Sequence, residues 1–184
     1  MSQIKVNSIV PIAGVPTGGG GGIVQTIQTQ SNTHVSIAAN SSGTSQTTPT
    51  ELSAPQATIT PTSTSSKVLV RANLMFGLSK ANYLFFYLFR NDSEVTAAHG
   101  TSAGTSAFDM WGHHSIQHQS SSTGQFELYS INLEYLDSPS STSALTYDIR
   151  LINFDATFFL NRNNDSNGTN RCATSYLTLQ EVSA

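Results

Sequence analysis

The sequence predicts an all-β fold, a jelly-roll-like antiparallel sandwich preceded by an extended N-terminal arm. Three observations predict it. Charged residues make up 10% of the 184, against roughly 25% in an ordinary soluble domain, while Ser, Thr, Asn and Gln together supply 72 residues. With 38% hydrophobic residues, the chain is too apolar for a disordered segment, and it lacks the Ala/Leu/Glu/Lys bias of a helical protein. Short runs with strand periodicity recur along it, separated by Ser/Thr/Gly/Pro turns.

Residues 1–30 read as the arm and its passage into the first strand, and 31–184 as the β domain. The arm carries apolar Ile4, Val6, Ile9 and Val10, then Pro11 and Pro16, then the glycines Gly18 to Gly22. Prolines remove amide donors and glycines raise the entropy cost of ordering, so the segment cannot build a core of its own. The bland reading is a flexible terminus. The sharper one is an anchor whose apolar residues add to a neighbour's sheet edge.

Strands are expected over 23–29 and 34–38, then a long polar loop over 40–55 and a short strand over 56–60 stopped by Pro61. Lys67 to Phe76 alternates, with Val68, Val70, Ala72, Leu74 and Phe76 on one face. Asn82 to Arg90 is apolar on both faces and predicts a central strand covered on both sides, by a second sheet or by another subunit. Weaker strands are expected over 94–98, 106–110 and 114–118. Gln125 to Leu136 places Tyr129, Ile131, Leu133 and Tyr135 on one face, and Leu145 to Phe154 places Leu145, Tyr147, Ile149, Leu151 and Asn153 together. A short strand over 157–161 and a polar turn over 161–170 follow. The final strand, 174–182, turns Tyr176 or Leu177, and Leu179, inward, with Cys172 expected as a small buried residue at its start.

The composition excludes several classes. A net charge of −3 leaves no basic footprint for nucleic acid. The longest apolar run, Tyr83 to Phe89, is too short to span a membrane. The opening Met-Ser-Gln-Ile-Lys has no apolar stretch of the signal-peptide kind, so synthesis in a reducing cytoplasm is expected. The lone Cys172 excludes an internal disulfide and a cysteine-rich metal site.

No catalytic constellation emerges, and the chain is not expected to be an enzyme or to hold a cofactor or metal. Gly100-Thr101-Ser102-Ala103-Gly104 matches the nucleophile-elbow string, but neither a strong strand before it nor a helix after it is legible, so it reads as a surface turn. Glu127 and Glu134 lie too far apart on one strand to argue a glycosidase pair. His114 and His118 would lie ~13 Å apart on a strand rising ~3.3 Å per residue, too far to share an ion within one chain; one histidine per subunit on a three-fold axis is the remaining metal arrangement. Trp111 sits among Gly, His and Ser. An indole face with neutral polar neighbours suits stacking on a sugar ring, with burial at a subunit interface or core edge as the alternative. The candidate receptor contact is therefore Trp111 with His113 and His114, in the stretch 98–122 where strand signal is weakest.

Three segments stand out together: the opening from Ile4 through Pro11, Pro16 and the glycine run to Ile23-Val24-Gln25, the stretch Ile59-Thr60-Pro61 through Ser66 to Lys67-Val68-Leu69-Val70, and Tyr135-Leu136-Asp137-Ser138-Pro139 with Leu145-Thr146-Tyr147. They resemble small virion proteins of tailed bacteriophages, cyanophage-like fibre and head-decoration proteins in particular. The resemblance implies a homotrimeric jelly roll, anchored in the virion through its arm on other virion proteins, with no catalytic residues. The expected function is host attachment as a tail-fibre or receptor-binding subunit contacting a host-surface glycan; the alternative is capsid decoration that cements the head. The stretch 98–122 matches nothing in that family.

Overall fold

The computed structural model describes residues 22–39, 48–80, 83–101, 109–115, 127–165 and 171–183. Ile4, Val6, Ile9, Val10, Pro11 and Pro16 of the expected anchor, and Ser102 and His118, lie outside them. Twelve strands run through the described residues: β1 (Ile23–Ser31), β2 (Val35–Ile37), β3 (Thr50–Glu51), β4 (Ala57–Ile59), β5 (Lys67–Leu78), β6 (Tyr83–Arg90), β7 (Ser93–Glu94), β8 (Gly112–Ser115), β9 (Tyr129–Asp137), β10 (Leu145–Asn153), β11 (Phe158–Leu160) and β12 (Ser175–Val182). The only helical turn among them is a 3-10 turn at Thr96–Ala98.

The strands form two sheets with antiparallel pairing throughout. In the first, β1, β12, β5 and β9 lie side by side, with β11 and β2 continuing beyond β12 along the end of β5. In the second, β10 lies between β6 and the short strands β3 and β4, while β7 and β8 occupy the far edge of β6. The chain passes repeatedly from one sheet to the other, and its first and last long strands are neighbours. That order is a jelly roll, as the patterning predicts.

Alternation explains the core. Val68, Val70, Leu74 and Phe76 of β5 are fully buried and meet Leu84, Phe86 and Leu88 of β6, Tyr147, Ile149 and Leu151 of β10, and Leu177 and Leu179 of β12. The rings of Phe76 and Phe158 stack at 5.2 Å, with Phe86 tilted 6.0 Å from Phe76. The choice left open in the last strand resolves for Leu177, and Tyr176 faces outward.

From Leu84 to Phe89 β6 is buried on both faces, but the second cover is the chain itself. Phe85, Tyr87 and Phe89 form a separate cluster with Ile152 and Phe154, against which Met110 packs. The aromatic run therefore needs no second subunit to hide it.

Polar groups tie the ends of the sandwich. Asp137 of β9 pairs with Arg90 of β6 and accepts a 2.6 Å bond from Tyr147 Oη of β10, joining the two sheets. Burial, reinforced by Asp137, raises the Tyr147 pKa well above its ordinary value, so the phenol stays a donor.

The stretch after β11, expected as a polar surface turn, is partly core: Asn161, Asn163 and Asp165 are buried. Asn161, at φ 60°, donates through Nδ2 to the carbonyls of Ser31 and Thr33 and accepts from Ser175 Oγ at 2.6 Å. The segment lies so close to β5 that a Cβ on Gly77 would stand 2.7 Å from Asn163 Cα. Glycine is required there because backbone meets backbone. Cys172, expected to be buried, is exposed. It pairs across an isolated bridge with Arg162 before β12 begins. The weak strand expected over 94–98 contracts to β7 and the 3-10 turn.

Candidate binding site

The distinctive place on the surface is the far edge of β6. β7 pairs with Phe89 and Arg90, and β8 pairs with the residues from Phe86 back to Tyr83. Between them the edge strand is interrupted. The Val95 amide donates to the Leu88 carbonyl at 2.8 Å, the chain turns through Thr96–Ala98, and it rejoins at Trp111, whose amide donates to the Phe86 carbonyl at 2.9 Å. A bond from the Gly100 amide to the Met110 carbonyl, 3.2 Å, closes the base of the excursion.

The interruption opens above Tyr87, on the outer face of the sheet. A cleft of about 710 Å³ results, lined by Tyr87, Glu94, His99 and Asp109 with Pro49 and Ile152 among its apolar walls. The His99 ring stands edge-on to the Tyr87 ring at 5.5 Å. Its Nε2 is 3.4 Å from Glu94 Oε1, in a geometry that makes no hydrogen bond. Among the described residues, Tyr87 Oη and His99 Nε2 are both buried without a hydrogen-bond partner. Burial, with the charges of Glu94 and Asp109 added, pushes the Tyr87 phenol up to about 12, so it presents a proton at any physiological pH.

The residues singled out from sequence lie nearby but do not converge. Trp111 packs against the core between the sheets, and its indole N–H donates to the Glu134 carbonyl of β9 at 3.2 Å. His114 turns inward, edge-on to Phe76 at 5.2 Å and 5.5 Å from Tyr129. His113 turns outward and stacks on Tyr83 at 6.0 Å, with Phe85 at 5.3 Å. Adjacent strand residues point to opposite faces, so the two histidines cannot share one ligand. Burial lowers the pKa of each; for His114 the neighbouring His113 adds to the effect. Among the described residues no three His, Cys, Asp or Glu side chains come together closely enough to hold a metal ion.

Sequence reasoning missed Tyr87, Glu94, His99 and Asp109. One signal was available: a phenol in the middle of an apolar strand must find a partner or a cavity. The other three residues reach the cleft only because the edge strand breaks, which no periodicity announces.

No protein-family model matches the chain, and no curated protein matches it.

Proposed function

We propose that this chain is a non-enzymatic virion structural protein of a tailed bacteriophage, a tail-fibre or receptor-binding subunit anchored by its N-terminal arm. The observation that carries the reading is where the arm departs. Gly22 accepts bonds from the Ser183 amide and hydroxyl at 3.1 and 3.3 Å, at the start of β1. Among the described residues β1 is an edge strand paired only with β12, and its first residues, Ile23 and Val24, are exposed and apolar. An edge strand with exposed apolar residues suits strand addition, and the apolar Ile4, Val6, Ile9 and Val10 precede it in sequence.

The assembly proposed is a homotrimer. With β6 covered within the chain, that number rests on the resemblance to phage virion proteins. A monomeric mass by sedimentation would overturn it.

The reading is tested by labelling particles with an antibody to the full chain. Label at the tail supports attachment; label at capsid three-fold positions supports decoration of the head instead; absence of label from particles overturns both. A chain lacking residues 1–22 should keep its melting midpoint and fail to enter particles, since a stretch this rich in proline and glycine contributes little core of its own. A large loss of stability would place the arm in the fold instead.

A further inference from the structure

We infer that the cleft above Tyr87 binds a saccharide without negative charge, an amino sugar best of all. Two buried polar atoms carry no hydrogen bond among the described residues. A buried donor or acceptor without a partner is costly, and among the described residues Tyr87 Oη and His99 Nε2 are both in that state, on two residues that line one cleft. Tyr87 is only 4% exposed, and it comes from the most regular part of the sheet, so its position is set by β6 and not by the loop. A ligand that brings its own donors and acceptors satisfies both.

The chemistry of the rim selects the class. Glu94 and Asp109 supply two carboxylates, and no Lys or Arg is among the described lining residues. Arg150, opposite Tyr87 in the β10–β6 ladder, is already bonded to Asp148 and Asp92. A phosphate, sulfate or uronic acid would meet repulsion with nothing to offset it. A metal is disfavoured because among the described residues no three His, Cys, Asp or Glu side chains come together. Vicinal hydroxyls match carboxylates that accept two bonds each. Pro49, half-buried on the wall, offers an apolar edge to a pyranose ring. The volume lies within the roughly 300–1,000 Å³ of small-ligand sites. A free amine adds an ion pair with either carboxylate. That such a sugar comes from a host surface rests on the function proposed above; the cleft's own specificity does not.

The experiment uses the full chain and soluble monosaccharides, with binding read by ligand-observed NMR and calorimetry. Glucosamine should bind with a Kd near millimolar, N-acetylglucosamine several-fold more weakly, and glucuronic acid at least tenfold more weakly than glucosamine. Tyr87→Phe removes an oxygen that has no partner in the free protein, so its melting midpoint should stay level or rise while affinity falls at least tenfold. Should that variant fold poorly, Glu94→Gln, at an exposed position, should abolish the preference for glucosamine over N-acetylglucosamine. No binding of any probe, equal binding of glucuronic acid, or wild-type affinity in both variants would overturn the inference. Particle labelling is independent of all these outcomes, so a failed cleft leaves the virion assignment standing, and the reverse.

Discussion

On the outer face of the first sheet, neighbouring strands meet in rows of polar side chains; on the outer face of the second, β6 presents three buried aromatic rings. One row of the first runs Gln28, Thr178, Arg71, Glu134 across β1, β12, β5 and β9, and the next runs Gln30, Tyr176, Asn73, Asn132. These groups satisfy each other: Gln28 bonds Thr178 at 3.0 Å, Arg71 bonds Glu134 at 2.5 Å, and Asn73 bonds Asn132 at 2.6 Å. The second face hides Phe85, Tyr87 and Phe89 under the chain and, among the described residues, leaves Tyr87 Oη and His99 Nε2 unbonded. The first face has its polar chemistry closed, whereas the second keeps some open. A shallow hollow of about 430 Å³ on the first face is therefore the poorer ligand site, although it is also lined by polar residues.

The largest test of this contrast is truncation of one aromatic on each face. Phe85→Ala should cost about 3 kcal/mol in chemical denaturation, the usual loss for a buried aromatic, because the ring packs edge-on to Phe154 at 5.4 Å under its cover. Tyr176→Ala, on the exposed polar face, should cost no more than about 0.5–1 kcal/mol. Equal losses would mean that another subunit covers the first face, which would give the proposed trimer its interface.

Glu181 marks where the first sheet departs from its own rule. It points inward from β12, fully buried, and accepts from Gln25 Nε2 at 2.7 Å and from the Thr62 amide and hydroxyl at 2.8 and 2.7 Å. Burial alone would raise its pKa, but these bonds, with one from Ser66, outweigh it and bring the carboxyl to about 2, below its ordinary 4.5. A depressed folded-state pKa contributes stability that is present above the unfolded value and lost as pH falls through the folded one. Glu181→Gln should therefore melt lower than the wild type at pH 7, and the gap should close between about pH 4.5 and pH 2. A gap that persists unchanged at pH 2 would show that shape, not charge, is what the site requires.

Much of this contrast is legible in the sequence, and the remainder has an identifiable physical cause. Alternation in β5, β9 and β10 assigns their inner faces because a half-buried strand repeats every two residues. The two-sided burial of β6 follows from its unbroken apolar run. What periodicity cannot carry is long-range bonding. Asn161 looks like a turn residue until the Ser31 carbonyl, 130 positions away, is seen to take its amide. Trp111 reads equally as a sugar platform or a core-edge residue until the Glu134 carbonyl, 23 positions away, is seen to take its indole N–H. The cleft exists because a strand is interrupted, and an interrupted strand reads in sequence as a weak one.

Arginine offers a smaller but cleaner comparison, since each outer face has one in an ion pair. On the second face, Arg150 lies 4.0 Å above the Phe89 ring and bonds Asp148 Oδ1 at 2.8 Å and Asp92 Oδ1 at 2.6 Å. The Asp148 side chain is 5% exposed, so Arg150→Ala leaves a buried carboxylate alone and should cost about 2 kcal/mol. Arg150→Lys should recover little, because a compact ammonium cannot both cover the ring and reach two carboxylates. Full recovery by lysine would reduce the interaction to simple charge.

The smallest effect is expected at Arg71. Its guanidinium meets Glu134 at 2.5 Å and also donates to Gln180 at 3.3 Å, which on distances alone resembles the arrangement at Arg150. Exposure separates them: the side chains of Arg71 and Glu134 are 52% and 58% exposed. Water screens the attraction, both side chains lose rotamer freedom in making the pair, and salt weakens what is left. Arg71→Ala should therefore cost less than about 1 kcal/mol. Raising salt from about 0.05 to 1 M, which shortens the screening length to about 3 Å, should remove most of the difference from the wild type. The same salt series on Arg150→Ala should leave its larger loss mostly intact, because the exposed Asp92 contact is screened but the Asp148 contact and the ring contact are shielded from solvent. Two arginines with similar hydrogen-bond distances would then differ in salt response through burial alone.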